Sequence, residues 1–257
     1  MNAGRASAGA ALVTGAGKRI GKTLALALAA AGYDIAAHYR TSKADVDDTL
    51  AQITAMGRRA VALQADLSRE AETAALIPAA RQALGPATLL VNSASVFEHD
   101  EIDTMTRESW DMHMETNLRA PLKLAQDFAA QAEAGANNLI VNIIDQRVLK
   151  LTPQFLSYTL SKAALLTLTK TLAQALGPKG VRVNGVGPGP VLRNTRQSEE
   201  DWRRQNEATI LGRGATPQDV AGALLYFVDA TSVTGQMIAV DGGQHLSWAT
   251  PDVMVKE

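Results

Sequence analysis

The chain has 257 residues, 46% of them hydrophobic and 20% charged, a balance that supports a sizeable folded core and excludes a disordered or low-complexity chain. With 25 basic and 26 acidic residues the formal net charge is −1, so no basic field exists to hold nucleic acid or an anionic membrane, and small molecules or further subunits are the expected partners. There is no cysteine, the histidines His38, His99, His113 and His245 stand at no metal-binding spacing, and no apolar run reaches the roughly eighteen residues of a membrane span, so a soluble, cytoplasmic protein without disulfides or metal is expected.

Residues 1–8 read as a flexible tail without an apolar signal segment. Short apolar runs then alternate with longer helical patterns, the arrangement of βαβ units. Strands are predicted at 11–14, 34–39, 60–64, 89–91, 139–144, 181–186 and 237–240. Helices are predicted over about 19–31, 43–56, 69–84, 107–132, 155–176 and 217–229, with an amphipathic piece near 198–208. The pattern predicts one α/β domain over residues 9–250, a doubly wound parallel seven-stranded sheet, with a patternless tail at 251–257. Such sheets bind ligands outside the carboxyl ends of their strands, so the residues there are the functional candidates.

The first strand ends in Thr14-Gly15-Ala16-Gly17-Lys18-Arg19-Ile20-Gly21 and runs directly into a helix. Glycines allow close backbone approach, and a helix N-terminus offers free N–H groups to a pyrophosphate. At the end of the second strand, His38-Tyr39-Arg40-Thr41-Ser42 holds no carboxylate to accept from a free ribose 2′-hydroxyl. His38, Arg40, Ser42 and Lys18 offer donors to a 2′-phosphate instead, which predicts NADPH; the plain alternative is a solvated strand end. Asp66, in Ala65-Asp66-Leu67, is placed to bind an adenine amino group or to cap the helix near 69. Small residues in Asn92-Ser93-Ala94-Ser95 would let backbone approach a ribose.

Tyr158 and Lys162 are four residues apart, so on a helix they share a face. An ammonium beside a phenol favours the phenolate and is expected to lower the tyrosine pKa from about 10, which suits proton donation. Asp145 follows the apolar run Leu139-Ile140-Val141-Asn142-Ile143-Ile144. An ionised carboxylate accepts and cannot donate, so it would repel a substrate carbonyl and suits an edge that presents N–H groups or is protonated at nitrogen. Phe97 is a candidate to stack on a flat heteroaromatic ring, though a lone aromatic is more often core. Met105, Met112 and Met114 near Trp110 read as packing. Glu199-Glu200-Asp201 with Arg203 and Arg204 around an inward Trp202 reads as a solvated helix or as part of a mobile lid over 191–212.

Taken together, Thr14-Gly15, Asp66, Asn92-Ser93-Ala94, Asn117, Tyr158-x-x-x-Lys162, Arg182-Val183-Asn184 before Pro188-Gly189, and Asp241-Gly242-Gly243 resemble the short-chain dehydrogenase/reductase family over nearly the whole chain. The resemblance implies a Rossmann-type fold, a nicotinamide cofactor and usually a homotetramer. Three positions depart from the usual pattern: Arg19 replaces a glycine, Ser93 an asparagine and Asp145 the catalytic serine. Arg19 and Asp145, with His38-Tyr39-Arg40 and Phe97, resemble the pteridine reductases, a group that includes bacterial dihydromonapterin reductases and alternative dihydrofolate reductases.

That resemblance implies hydride transfer from NADPH to a C=N carbon of a dihydropterin or dihydrofolate, with the proton passing through Tyr158 and Asp145. It implies that Lys162 binds the nicotinamide ribose and that Asn117 holds a water linking Lys162 to solvent. Cofactor contacts are expected from Gly15, Lys18, Arg19, Ile20, Gly21, His38, Tyr39, Arg40, Ser42, Asp66, Leu67, Asn92, Ser93, Ala94, Pro188 and Gly189, and substrate contacts from Arg19, Ser95, Phe97, Asp145, Tyr158 and Pro190. Two other readings are a carbonyl reductase acting on a ketone, sugar or 3-oxoacyl thioester, which Asp145 and Arg19 oppose, and an NADPH-binding regulatory protein without turnover, which the intact Tyr158, Lys162 and Asn117 oppose.

Overall fold

The structure is a computed structural model that describes residues 8–250 and 253–254; the two expected tails otherwise lie outside the described residues. Strands β1 (Ala10–Val13), β2 (Asp34–Tyr39), β3 (Ala60–Gln64), β4 (Ala87–Asn92), β5 (Asn138–Ile143), β6 (Val181–Pro188) and β7 (Met237–Val240) form one sheet in the order β3-β2-β1-β4-β5-β6-β7. Every pairing in it is parallel. The helices are α1 (Arg19–Ala30), α2 (Lys43–Ala55), α3 (Glu70–Leu84), α4 (Arg107–Met114), α5 (Ala120–Gln131), α6 (Leu156–Leu176), α7 (Glu199–Glu207) and α8 (Pro217–Asp229). This is the expected Rossmann-type doubly wound fold. Among the described residues no helix is long and apolar enough to cross a membrane.

Every residue of β1, β2 and β5 is buried, because a sheet covered by helices on both faces leaves no strand face for water. Side-chain alternation splits the core into two. Ala11 and Val13 pack with Leu24 and Leu28 of α1 and with Val220, Leu224 and Phe227 of α8. Ala10 and Leu12 face the other way, onto Leu76 of α3, Leu124 and Phe128 of α5, and Leu176 of α6. Strand order reverses between β1 and β4, and the two helical layers part there to leave a crevice at the carboxyl ends.

The helix predicted over 107–132 is not continuous α-helix. A π turn, Glu115–Arg119, separates α4 from α5, and Asn117 lies within it. Hydrophobic periodicity registers only which face is buried, and a one-residue insertion alters that face too little to be read. The start of α4 is fixed locally, where the Thr106 hydroxyl accepts a hydrogen bond from the Ser109 N–H at 3.1 Å. Strong capping at Thr216 and Asp219 likewise starts α8.

Candidate active site

At the switch point a cavity of about 400 Å³ runs across the ends of β1 to β4. Gly15 has φ +69, and a Cβ there would stand 3.0 Å from the Ala94 Cα; one on Gly21 would meet the Gly15 carbonyl oxygen at 2.1 Å. Glycine is therefore required at both places, to bend the turn and to bring α1 against it. Thr14 fixes the opposite wall: its hydroxyl accepts from the Ser93 and Ala94 N–H groups at 2.9 and 3.0 Å, tying the end of β1 to the end of β4. No side chain caps α1, so its first N–H groups are open to an anion.

At the end of β2, Arg40 is exposed, lines the cavity and hydrogen-bonds through its guanidinium to no described residue. Ser42 and Lys18 line it too, Lys18 in an exposed pair with Asp45 at 2.9 Å. A cationic strand end whose Arg40 guanidinium is hydrogen-bonded to no described residue suits a 2′-phosphate. Asp66 does not cap α3, whose N-cap is Arg69; its Oδ1 accepts from the N–H and hydroxyl of Ser68, which hold its carboxyl below the usual range. Leu67, Ile20, Ser93, Ala94 and Ser95 complete the cavity wall.

Four of the expected cofactor residues have side chains held in other surroundings. His38 is 2% exposed; its Nδ1 accepts from the Gly15 N–H at 3.1 Å and its Nε2 donates to the Ala65 carbonyl at 3.0 Å. Both nitrogens are thus used to join the glycine turn to the end of β3, and burial lowers the imidazole pKa, so His38 lines the cavity but has its ring donor already engaged. Tyr39 turns into the core. The Asn92 amide donates to the Asn142 Oδ1 at 2.8 Å inside the sheet. Pro188 is buried at the end of β6, away from the cavity wall, whereas Gly189 lines a second cavity beside it.

That second cavity, of about 210 Å³, brings together Asp145, Tyr158, Phe97, Arg19 and Pro190. Asp145 ends the run after β5 and caps a short turn, Gln146–Val148, by accepting from the Arg147 N–H at 2.7 Å through Oδ1. Its Oδ2 accepts from the Tyr158 hydroxyl at 2.8 Å. Burial raises the Asp145 pKa, and burial together with the adjacent carboxylate raises that of Tyr158 well above 10. The expected lowering by Lys162 is therefore reversed. The Lys162 Nζ donates to the Ile143 carbonyl at 2.8 Å and lies 5.7 Å from the Tyr158 ring centroid, whereas the carboxylate is in direct contact with the phenol. Burial lowers Lys162 itself to about 8.

The Asn117 side chain is fully engaged by protein groups. Its Oδ1 accepts from the Val96 N–H and the Ser95 hydroxyl, and its Nδ2 donates to the Val96 carbonyl and the Ser161 hydroxyl. With every site on the amide used, its side chain fastens the segment after β4 to α6 and makes no hydrogen bond to Lys162. A second fastening was not visible in the sequence: buried Asp100 accepts from Ser157 and Ser109, and Ser157 also meets His113. It holds the residue before Tyr158 against the loop carrying Phe97.

Phe97 stacks on Phe155, with ring centroids 4.3 Å apart and planes 6° from parallel, and meets Tyr158 edge-on at 4.6 Å. Arg19 and Phe155 are the two non-glycine residues with positive φ, +50 and +58, among those described. Arg19 therefore occupies, as an arginine, a left-handed backbone position that explains why glycine is usual there, at a cost of about 1–3 kcal/mol. Its guanidinium donates to the carbonyls of Leu192 and Arg193 at 2.9 and 3.1 Å. Arg196 reaches from the same segment to the Phe97 carbonyl at 2.6 Å and to Glu98. The segment before α7 is thus held over the cavity from both sides, and Trp202 of α7 closes it further.

Fold and site together define a class. A family model described as enoyl-(acyl carrier protein) reductase matches residues 15–245, and the chain belongs to the short-chain dehydrogenase/reductase family. Among solved structures, FolM alternative dihydrofolate reductase 1 from Brucella canis, complexed with NADP, is 42% identical, with a TM-score of 0.90 over 98% of this chain and 100% of that one. Among curated proteins, an uncharacterized oxidoreductase of Methylorubrum extorquens is 35% identical over 91% of this chain and 96% of its own length. The 3-oxoacyl-[acyl-carrier-protein] reductase FabG of Staphylococcus epidermidis is 30% identical over 92% and 98%.

Proposed function

We propose that the protein is an NADPH-dependent reductase of a pteridine, converting a dihydropterin or dihydrofolate to its tetrahydro form. The observation that carries this reading is the Asp145 carboxylate accepting the Tyr158 hydroxyl at 2.8 Å in the place where carbonyl-reducing relatives need a donor. A carboxylate there opposes a substrate carbonyl and favours a ring edge with N–H groups. Arg19 and Phe97 stand in the same cavity, and the FolM likeness agrees with it.

The first cavity fits the cofactor: the α1 N-terminus and the glycine turn suit its pyrophosphate, and Arg40, Ser42 and Lys18 suit a 2′-phosphate. Bound there, NADPH supplies the hydride. Tyr158, whose raised pKa keeps it protonated near neutrality, donates the proton to the substrate nitrogen. Asp145 orients that hydroxyl and accepts from a ring N–H. Lys162 provides the buried positive charge that favours the phenolate left behind, and with a pKa of about 8 it carries that charge at neutral pH. Arg19 and the 192–193 segment exclude water from the reacting ring.

The test follows NADPH oxidation with dihydrofolate and dihydropterins beside acetoacetyl thioesters and simple ketones. Turnover of the pteridines supports the reading; turnover confined to the carbonyl compounds overturns it in favour of a carbonyl reductase.

A further inference from the structure

Gln146 directly follows Asp145 and lines the same cavity, yet is only 8% exposed. Its side-chain oxygen is shielded from water and has no hydrogen-bond partner. Its side-chain nitrogen donates to no described residue, although the backbone carbonyl of Gln146 accepts from Leu149 at 2.8 Å in the turn. Burying an amide oxygen with nothing to pair with is unfavourable, and a core position here would be better filled by leucine or methionine. Of the other polar side chains in this cavity, Asp145 is bound to Tyr158 and the Arg147 N–H, Arg19 to the 192–193 carbonyls, and Gln197 to Gln205 at 2.9 Å; the Gln244 side chain hydrogen-bonds to no described residue, but it is half-buried and can meet water.

We infer that Gln146 is a specificity-determining residue that pairs with an amide-like edge of the substrate ring. The inference rests on the pteridine reading and deepens it. A carboxamide carries one donor group and one acceptor side by side, and rotation about its terminal bond exchanges them. It therefore matches a lactam, in which a ring N–H adjoins a C=O, with two hydrogen bonds. Asp145 accepts only, so it reads N–H groups but cannot hold the neighbouring carbonyl oxygen. Gln146 supplies the donor that Asp145 lacks. A 3-oxoacyl thioester or simple ketone offers no such edge.

The test replaces Gln146 with Met, which keeps its length and removes both hydrogen-bonding groups. The KM for the dihydropterin is expected to rise about tenfold, the loss of one or two net hydrogen bonds, with the KM for NADPH unchanged. The melting temperature without substrate is expected to stay level or rise, because an unpaired buried amide is removed. A structural glutamine would give the opposite thermal result, so a lowered melting temperature with an unchanged pteridine KM overturns the assignment. Gln146→Glu supplies a second readout: an acceptor-only side chain should favour binding of a 2,4-diaminopteridine, which presents amino groups and no lactam oxygen, relative to the lactam substrate. An unchanged ratio overturns the lactam pairing. If the wild-type protein turns over no pteridine, the functional reading fails first and this inference with it, whereas wild-type turnover with an unaffected Gln146→Met variant removes this inference alone.

Discussion

The two cavities are built on opposite principles. The nucleotide crevice is shaped mainly by backbone: Gly15 and Gly21 leave room, the α1 N-terminus faces inward uncapped, and Arg40 stands at the rim with its guanidinium hydrogen-bonded to no described residue. The reacting cavity is shaped by side chains already bound to one another, with Tyr158 on Asp145, Phe97 on Phe155 and Arg19 on the 192–193 carbonyls. A cofactor that occupies every catalytic cycle is met by open groups. A site for changing substrates and products is prearranged through mutual contacts that a ligand must share or replace.

The contrast predicts losses of unequal kind. Tyr158→Phe removes the proton donor without touching the crevice, so kcat should fall on the order of 10³-fold while NADPH affinity, measured by fluorescence titration, holds. Retained turnover would place the proton elsewhere. Asp145→Asn keeps the shape but removes the charge and turns one of the two acceptor oxygens into a donor, and a loss of about 10²-fold in pteridine turnover is expected. The same change should lower the Tyr158 pKa, because the adjacent carboxylate helps to raise it; ultraviolet titration of the phenol checks this. Full activity in this variant would remove Asp145 from the proton path.

At the crevice, Arg40→Ala should weaken NADPH by about tenfold, the value of a charge-assisted hydrogen bond, and leave NADH nearly unaffected. The ratio of kcat/KM for the two cofactors is the measurement, and an unchanged ratio would show that the 2′-phosphate is read elsewhere.

The smallest effect concerns pH. Lys162 titrates at about 8 in the folded protein against 10.5 for the free side chain. Between those values only the unfolded chain holds the proton, so the stability contribution of Lys162 rises as pH climbs from about 8 towards 10.5. Asp145 and Tyr158, whose folded pKa values are raised, act in the opposite sense: stability is lost as pH rises through their folded values, for Tyr158 only above 10. Urea midpoints on either side of pH 8 should therefore increase with pH in the wild type and lose that increase in Lys162→Met.

The alternating apolar runs determined the sheet, since strands buried on both faces must read as continuous hydrophobic stretches, and the observed ends lie within a few residues of those predicted. The placement of the glycine turn, Arg40, Asp145 and Tyr158 at the two cavities, with Lys162 beside Tyr158, was also legible, because it depends on position at a strand end or on helical spacing. Partner choice was not legible. His38 at a strand end is equally a phosphate donor or a strut until Gly15 and Ala65 are known to lie beside it. The sign of the Tyr158 shift turned on which charge makes contact, the carboxylate of Asp145 or the ammonium of Lys162, and residues joined across the fold settle that by packing distance. Arg19 showed in the sequence as a departure from glycine; only the fold reveals the left-handed backbone that makes it costly and the segment it holds. Sequence determines which groups are available, but their electrostatic and hydrogen-bonding roles depend on separations of a few ångströms between distant segments, and those exist only once the chain has folded.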